Sequence, residues 1–215
     1  MERIKISKNN FGGSVSRAVE VLVSGGVVVV PTDTVYGLAA DVGNEKAVQK
    51  VFEIKGRSED KKLPVFVSSF EMLGQSPALT TEPSSDRESE RVLYFLRKVL
   101  PGKITCVLRA KGGRTIAVRM PNYDLVLKII EKFGRPITGT SANVAGKPEH
   151  TKIDELIAEF KNLKVKPDLI LDAGDLSPSK PSTVLDCTIW PPKILREGAV
   201  SKKELKKLIF GDILK

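Results

Sequence analysis

An uninterrupted valine run at residues 27–30 restricts the fold of this 215-residue chain more than any other stretch. Valine is β-branched and favours strands, and an apolar run without alternation favours a strand that is covered on both faces. Gly25 and Gly26 precede the run and Pro31 ends it, as is typical of strand boundaries. We therefore predict a buried strand, followed by a helix for which Asn44 is the N-cap.

Polar side chains follow this strand at once, and two cations stand at the far end of the predicted helix. Thr32, Asp33 and Thr34 come directly after the proline, and Lys55 and Arg57 close the segment 26–57. One interpretation is a cradle for a polyanion. The other is an ordinary strand–helix unit with a capped turn and solvated cations, since cations are common near helix C-termini. These residues alone do not decide between the two.

The remaining pattern predicts alternating helices and strands. We expect helices at 14–24, 91–99, 123–133, 151–160 with Thr151 as its cap, and 201–215, and strands at 63–69, 104–110, 115–121, 168–174, 182–188 and 193–198, with a further short strand at the start of 135–148. The strands at 104–121 are predicted to form a hairpin, and Ser201 with Glu204 a capping box. Residues 75–91 are poor in apolar side chains and are predicted to form a mobile loop. The fold class is α/β, a single domain over 1–215 with its core at about 14–200 and a twisted mixed parallel/antiparallel sheet flanked by helices.

Composition narrows the classes of function. Lys and Arg exceed Asp and Glu by 35 to 26, a formal charge of +9, which favours anionic partners such as nucleotide or RNA, or serves solubility alone. The polar first residues and the lack of a long apolar run predict a cytoplasmic protein without a membrane segment. Cys106 and Cys187 lie in apolar runs and are expected to be reduced and buried. His150 is the single histidine, so sites that need several imidazoles are excluded.

A second group of small polar residues follows an apolar strand at 138–143. Thr138, Thr140, Ser141 and Asn143 could donate to phosphate oxygens without adding bulk; alternatively they form a turn that caps its own backbone. There is no Walker loop and no GxGxxG motif, so nucleotide would be bound by dispersed side chains.

Further candidates lie at strand ends. Arg119 and Arg196 each end a strand, and Ser182 begins one. Each of these is weak evidence alone, because strand-end cations are usually solvated.

Taken together, these stretches resemble the YrdC-like family of threonylcarbamoyl-AMP synthases. The matching segments are GGVVVVPTDTVYGLAAD, KGR, LPVFVSS, PGKITCVL, VRMP, ITGTSANVAGKP, STVLDCT and ILREGAV, in that order over about 14–200. The Lys-x-Arg and Ser-x-Asn signature stands at Lys55, Arg57, Ser141 and Asn143.

The resemblance implies a YrdC-like fold with a large basic concave cavity. It also implies a nucleotidyltransferase that forms threonylcarbamoyl-AMP and pyrophosphate from L-threonine, bicarbonate and ATP. ATP would be a substrate with Mg²⁺ on its phosphates; no tightly bound cofactor and no protein metal ligand are expected. A tRNA-modifying threonylcarbamoyltransferase system would then modify adenosine 37 of tRNA.

Roles for individual residues follow from the same resemblance. Lys55 and Arg57 are expected to be catalytic. The expected ATP-binding residues are Lys55, Arg57, Ser141, Asn143 and Arg196. The expected threonine-binding residues are Thr32, Thr34, Arg119, Thr138, Thr140 and Ser182. No protein nucleophile is needed, since the carboxylate formed from the threonine amine and bicarbonate would attack the α-phosphorus.

Two departures and two alternatives complete the prediction. Ser58 and Lys103 stand where family members often have proline, which affects local loop shape. The chain ends at Lys215, so we expect it to lack the extra C-terminal domain of longer members.

One alternative is an RNA-binding or ribosome-associated module without turnover. The other is carbamoyl transfer of the hydrogenase-maturation kind, which the cysteine count does not favour.

Overall fold

The valine run forms the centre of a five-stranded sheet in the computed structural model, which describes residues 1–58, 62–75 and 87–210. The strands are β1 Glu2–Lys5, β2 Val28–Val30, β3 Gly37–Ala39, β4 Val65–Phe66, β5 Ile104–Ala110, β6 Arg114–Arg119, β7 Ile137–Thr138, β8 Thr140–Ser141, β9 Leu169–Asp172, β10 Thr183–Asp186 and β11 Lys193–Arg196. The helices are α1 Phe11–Val23, α2 Glu45–Lys55, α3 Phe70–Gln75, α4 Arg87–Val99, α5 Asp124–Phe133, α6 Ile153–Lys161 and α7 Lys202–Phe210, with a 3₁₀ turn at Lys8–Asn10.

The first sheet has the order β1-β9-β2-β3-β8 and is covered on both faces. The β1, β9 and β2 strands run parallel, whereas β3 and β8 pair in antiparallel fashion. Val28 and Val30 pack with α1 and α5 on one face. Val27 and Val29 pack with α2 and α6 on the other. This confirms the prediction from the unbroken valine run, because both faces of β2 pack against apolar side chains.

The second sheet has the order β11-β10-β5-β6-β4-β7 and contains the predicted hairpin. The β5 and β6 strands are antiparallel, with Cys106 opposite Val118. Alternate side chains of β5, β6 and β10 form a core with α4 and α7. Residues that point to the opposite face of these strands are therefore left to line a site. Cys106 and Cys187 are free and buried, as predicted.

A short crossing segment at 137–141 joins the two sheets. Its first half, β7, pairs with β4, and its second half, β8, pairs with β3. Gly139 lies between the halves and donates its N–H to the Pro64 carbonyl at 2.7 Å. A Cβ at Gly139 would come within 2.2 Å of the Phe66 ring. The position therefore excludes any side chain, because the aromatic ring already fills that space.

The α/β class with mixed pairing is confirmed, but several boundaries differ from the predicted ones. The strands are divided between two sheets rather than joined in one. The β4 strand is limited to Val65–Phe66 within the predicted 63–69. Helix α4 begins at Arg87, four residues before the predicted start, so the predicted mobile loop at 75–91 is wrong at its C-terminal end. Its central part, 76–86, lies outside the described residues.

The two helix caps that the sequence suggested have different outcomes. The Asn44 side chain accepts the N–H of Ala47 and caps α2 as predicted. Thr151 does not cap α6, which begins at Ile153; the N–H of that residue is bound by the Asp175 carboxylate at 3.1 Å instead. The misprediction arises because the cap comes from a residue 22 positions along the chain.

The C-terminal helix is confirmed over Lys202–Phe210, and residues 211–215 lie outside the described part. The capping box forms: the Ser201 N–H donates to the Glu204 carboxylate at 2.8 Å, and the Glu204 N–H donates to the Ser201 hydroxyl at 3.3 Å. None of the helices in the described ranges combines the length and apolar character that a membrane span requires.

The cap assignment predicts a difference in stability between two variants. Asn44→Ala should lower the free energy of unfolding by about 1 kcal/mol, because a first-turn amide of α2 loses its acceptor. Thr151→Ala is the matched control and should change it by less than about 0.5 kcal/mol. Urea denaturation followed by circular dichroism measures both, and equal losses in the two variants would contradict the assignment.

Candidate functional site

A cavity of about 420 Å³ is lined by residues from both sheets and from the loops after β2, α2 and β8. Strand alternation explains much of its wall. Ile104 and Cys106 of β5 point into the core, so Thr105 between them faces the cavity. In β6, Arg119 faces the cavity next to the core residue Val118. The cavity therefore occupies the face of the second sheet that α4 and α7 leave uncovered.

Lys55 is the last residue of α2 and is held by oxygen atoms of the Ser141–Asn143 loop. Its ammonium donates to the Ser141 carbonyl at 2.7 Å, the Asn143 carbonyl at 3.0 Å and the Asn143 side-chain oxygen at 3.1 Å. An ammonium group has three N–H donors, so these three contacts occupy all of them. Gly56 adopts the left-handed conformation, with φ of 56°, and ends the helix there.

The surroundings of Lys55 reduce its affinity for a proton. Burial, together with the charge of the neighbouring Arg57, lowers the pKa of Lys55 to about 8. Glu149 and Glu159 oppose this shift. Arg57 also lines the cavity, and its Nε is buried without a hydrogen-bond partner among the described residues. Two neighbouring cations at a cavity wall would be stabilised by an anion.

The loop that holds Lys55 is itself fixed by internal bonds. The Ser141 hydroxyl donates to the Asn143 side-chain oxygen at 2.7 Å, and the Asn143 amide donates to the Lys147 carbonyl at 2.6 Å. The Ala145 N–H donates to the Lys55 carbonyl at 2.8 Å. Glu159 of α6 accepts the Val144 N–H at 2.6 Å. The loop is therefore preorganised at the end of α2.

A second cationic group, Arg119, lies against the loop after β2. Its Nε donates to the Gly102 carbonyl at 3.0 Å, and its Nη1 donates to the Thr34 hydroxyl at 2.9 Å. Its Nη2 donates to the Asp33 carboxylate at 2.5 Å. Burial lowers the pKa of Arg119 and the Asp33 charge opposes that shift; the group stays a cation, because a guanidinium does not lose its proton in proteins.

Hydroxyl groups surround this arginine on two sides. The hydroxyls of Thr32 and Thr34 are 3.0 Å apart, and that of Thr32 donates to the Val35 carbonyl at 2.6 Å. On the opposite wall the Ser182 and Thr105 hydroxyls are 2.7 Å apart. Arg196 donates to the Ser182 carbonyl at 2.8 Å. This end of the cavity offers a cation and small hydroxyls, a combination suited to a small polar molecule with a carboxylate.

The structure brings ten of the eleven predicted site residues to this cavity. Those that line it are Thr32, Thr34, Lys55, Arg57, Arg119, Thr140, Ser141, Asn143, Ser182 and Arg196. Thr138 is not among them: its hydroxyl donates to the Leu38 carbonyl and accepts the Ala40 N–H, so it connects β7 to β3.

Several lining residues were missed from the sequence. Thr105 could have been found, since it is a polar residue at one position of an otherwise apolar strand. Phe66, Lys62 and Glu149 had no such signal. His150, the single histidine, is buried and does not line the cavity; its Nε2 lies 3.3 Å from a Glu159 carboxylate oxygen.

Comparison with known proteins gives a family match over most of the chain. The Sua5/YciO/YrdC family model, described as "Telomere recombination", matches residues 20–198. The threonylcarbamoyl-AMP synthase of Pyrococcus abyssi is 37% identical over 198 residues, covering 88% of this chain and 55% of that protein. The threonylcarbamoyl-AMP synthase of Bacillus subtilis is 32% identical over 205 residues, covering 91% and 56% respectively. The chain therefore spans a little over half the length of these curated relatives.

A solved structure shares the fold. The crystal structure of P. abyssi Sua5 complexed with L-threonine has a TM-score of 0.81 and 33% sequence identity, covering 97% of this chain and 60% of that one.

The depressed pKa of Lys55 predicts how the stability of the ligand-free protein changes with pH. The ordinary pKa of a lysine is 10.5, and that of folded Lys55 is about 8, so the unfolded chain binds more protons between these values. The free energy of unfolding should therefore rise between about pH 8 and pH 10.5 relative to Lys55→Met, and the difference should be constant below pH 8. Urea titrations of both proteins across this range measure it; a flat difference would contradict the assignment.

Proposed function

The chain belongs to the Sua5/YciO/YrdC family, and on that premise we propose that it forms threonylcarbamoyl-AMP and pyrophosphate from L-threonine, bicarbonate and ATP. The observation that supports this most is the placement of Lys55, Arg57, Ser141 and Asn143 together at one end of a cavity whose other end holds Arg119. The reaction needs such a pair of neighbouring sites, because an amino acid and a triphosphate must meet at the α-phosphorus.

The triphosphate would lie at the Lys55 end. Of the charged lining residues in the described part of the chain, Lys55, Arg57, Lys62, Arg119 and Arg196 are cations and Glu149 is the one acid, a balance that favours a polyanion. Arg57 offers a bidentate fork for phosphate oxygens. Lys55 would act differently: its N–H groups already bind the loop, so it would hold Ser141 and Asn143 in place while adding positive charge.

Threonine would lie at the Arg119 end. The guanidinium is suited to the amino-acid carboxylate, and the hydroxyls of Thr32, Thr34 and Ser182 could bind its amine and hydroxyl. Thr140, which precedes Ser141 on β8, also lines the cavity. The P. abyssi structure that shares this fold was solved with L-threonine, which supports an amino-acid site of this kind.

The chemistry would then need no protein nucleophile. The threonine ammonium first loses a proton to solvent, and the neutral amine then adds to bicarbonate with release of water to give a carbamate. A carbamate oxygen attacks the α-phosphorus, and the bond from that phosphorus to the bridging oxygen breaks to release pyrophosphate. The protein would contribute by positioning the reactants and stabilising negative charge.

Mg²⁺ bound to the ATP phosphates fits these residues. A magnesium ion commonly keeps several waters and is bound by substrate phosphates with few protein ligands. The described residues contain no group of three or more His, Cys, Asp or Glu that could form a protein-only site. A downstream tRNA-modifying system would use the adenylate, which would place the protein in the cytoplasm.

Substitution of the cations near the triphosphate tests this function. Lys55→Ala and Arg57→Ala should each lower threonine-dependent pyrophosphate release by on the order of 100-fold or more, because transition-state charge is left unstabilised. Lys46→Ala is the matched control, since Lys46 is exposed on the same helix, and should retain activity. A coupled pyrophosphate assay with ATP and bicarbonate measures all three; retained turnover in both cavity variants would falsify the assignment.

The same assay separates the synthase from an RNA-binding module, which the comparisons do not favour. A binding module would show salt-dependent affinity for tRNA and no threonine-dependent pyrophosphate release in the wild type. Mass spectrometry of the adenylates formed from mixed amino acids would then establish selectivity. A preference for threonine over serine of about 10-fold to 200-fold is expected, since the two differ by one methyl group.

A further inference from the structure

Arg119, which lines the cavity, forms a buried ion pair with Asp33, which lies behind it and is not itself a lining residue. Exposure of the side chains is 11% for Asp33 and 5% for Arg119. Removing charges from water has a large cost, and apolar residues of similar volume often stabilise a fold as well or better. A role in stability alone therefore explains this pair poorly.

The hydrogen bonds of Asp33 show which group it serves. Within the described part of the chain, its side chain has one hydrogen bond, to Nη2 of Arg119. Its second carboxylate oxygen, Oδ2, is buried and has no partner there. A carboxylate that was retained to connect parts of the fold would be expected to use both oxygens. The hydrogen bonding of the Asp33 side chain within the described residues is therefore directed to Arg119.

Arg119 is held on three sides in a way that leaves part of its guanidinium available. The Gly102 carbonyl accepts the Nε–H, the Thr34 hydroxyl accepts one Nη1–H and the Asp33 carboxylate accepts one Nη2–H. Each terminal nitrogen carries two N–H groups, so one remains on each. Two N–H groups on the two terminal nitrogens match the two oxygens of a carboxylate.

We propose that Asp33 is a positioning residue for amino-acid recognition: it orients Arg119 so that the remaining N–H groups bind the substrate carboxylate. This rests on the proposed function for the identity of the substrate. Asp33 also compensates the charge of Arg119, so the ion pair itself suits a zwitterion better than a polyanion.

Asp33→Asn tests the role directly, because it keeps an oxygen acceptor for Arg119 and removes the charge. Threonine affinity, measured by calorimetry without ATP, should fall on the order of 10-fold to 100-fold. The affinity for ATP should change by less than about 2-fold. The preference for threonine over threoninamide, which lacks the carboxylate, should decrease in parallel.

Asp41→Asn is the matched control. Asp41 is also a buried carboxylate paired with an arginine, Arg135 at 3.0 Å, but its arginine, unlike Arg119, does not line the cavity. This variant should lower the melting temperature without changing threonine affinity. A purely structural role for Asp33 would give the same pattern in both variants.

Asp33→Glu is a second variant in case Asp33→Asn does not fold. It keeps the charge and displaces the guanidinium by the length of one methylene, so threonine affinity should fall several-fold while ATP affinity is retained. Unchanged threonine affinity in a folded Asp33 variant, or equal losses for threonine and ATP, would overturn the proposal. Binding needs no turnover, so a wild type that binds threonine but releases no pyrophosphate counts against the synthase and leaves the role of Asp33 supported.

Discussion

The candidate site depends on the contact between the Lys55 ammonium and the oxygens of the Ser141–Asn143 loop. The three bonds, of 2.7 to 3.1 Å, join the C-terminus of α2 to a loop 86 to 88 residues away. Burial of that cation lowers its pKa, because the charged form is less stable inside the protein than in water. Binding the loop from within the protein therefore has an energetic cost. Without the cation, the Asn143 carbonyl would lose its donor, and the Asn143 side-chain oxygen and the Ser141 carbonyl would keep only the Ser141 hydroxyl and the Asn143 N–H, so the loop would lose three of its bonds to α2.

The fold followed from the sequence wherever local pattern and tertiary packing agreed. The valine run predicted a strand covered on both faces, and the two strand-like runs that flank a Gly-containing turn in residues 104–121 predicted a hairpin; both are confirmed. The division into two sheets was not predictable in this way. It depends on Gly139, where the Phe66 ring occupies the space of a side chain, and no local pattern shows that a residue 73 positions earlier approaches so closely.

The sequence predicted most of the residues that form the site, but it predicted only some of the contacts between them. A signature of residue types placed Lys55, Arg57, Ser141 and Asn143 in one group, and the structure brings them together. The sequence could not show that Lys55 donates to the loop itself, since this is a long-range contact. Simple strand alternation would place Thr138 and Thr140, which are two residues apart, on the same side, but the chain passes from β7 to β8 at Gly139 between them. The Thr138 hydroxyl is bound between β3 and β7.

The two ends of the cavity differ in how the charges of their cations are compensated. Under the proposed function, this difference would distinguish the amino acid from ATP. Arg119 has a carboxylate partner, Asp33, which compensates its charge, so a zwitterion can bind beside this pair without adding net charge. Arg196 is a second cation near Arg119 and lowers the pKa of Arg119. Lys55 and Arg57 have no ion-pair partner among the described residues, and the charge of Arg57 lowers the pKa of Lys55. Under the proposed function, a triphosphate would relieve that repulsion, so ATP would gain more at the Lys55 end than at the Arg119 end. The paired arginine would then favour the amino acid over the polyanion, which is how specificity can arise between adjoining pockets.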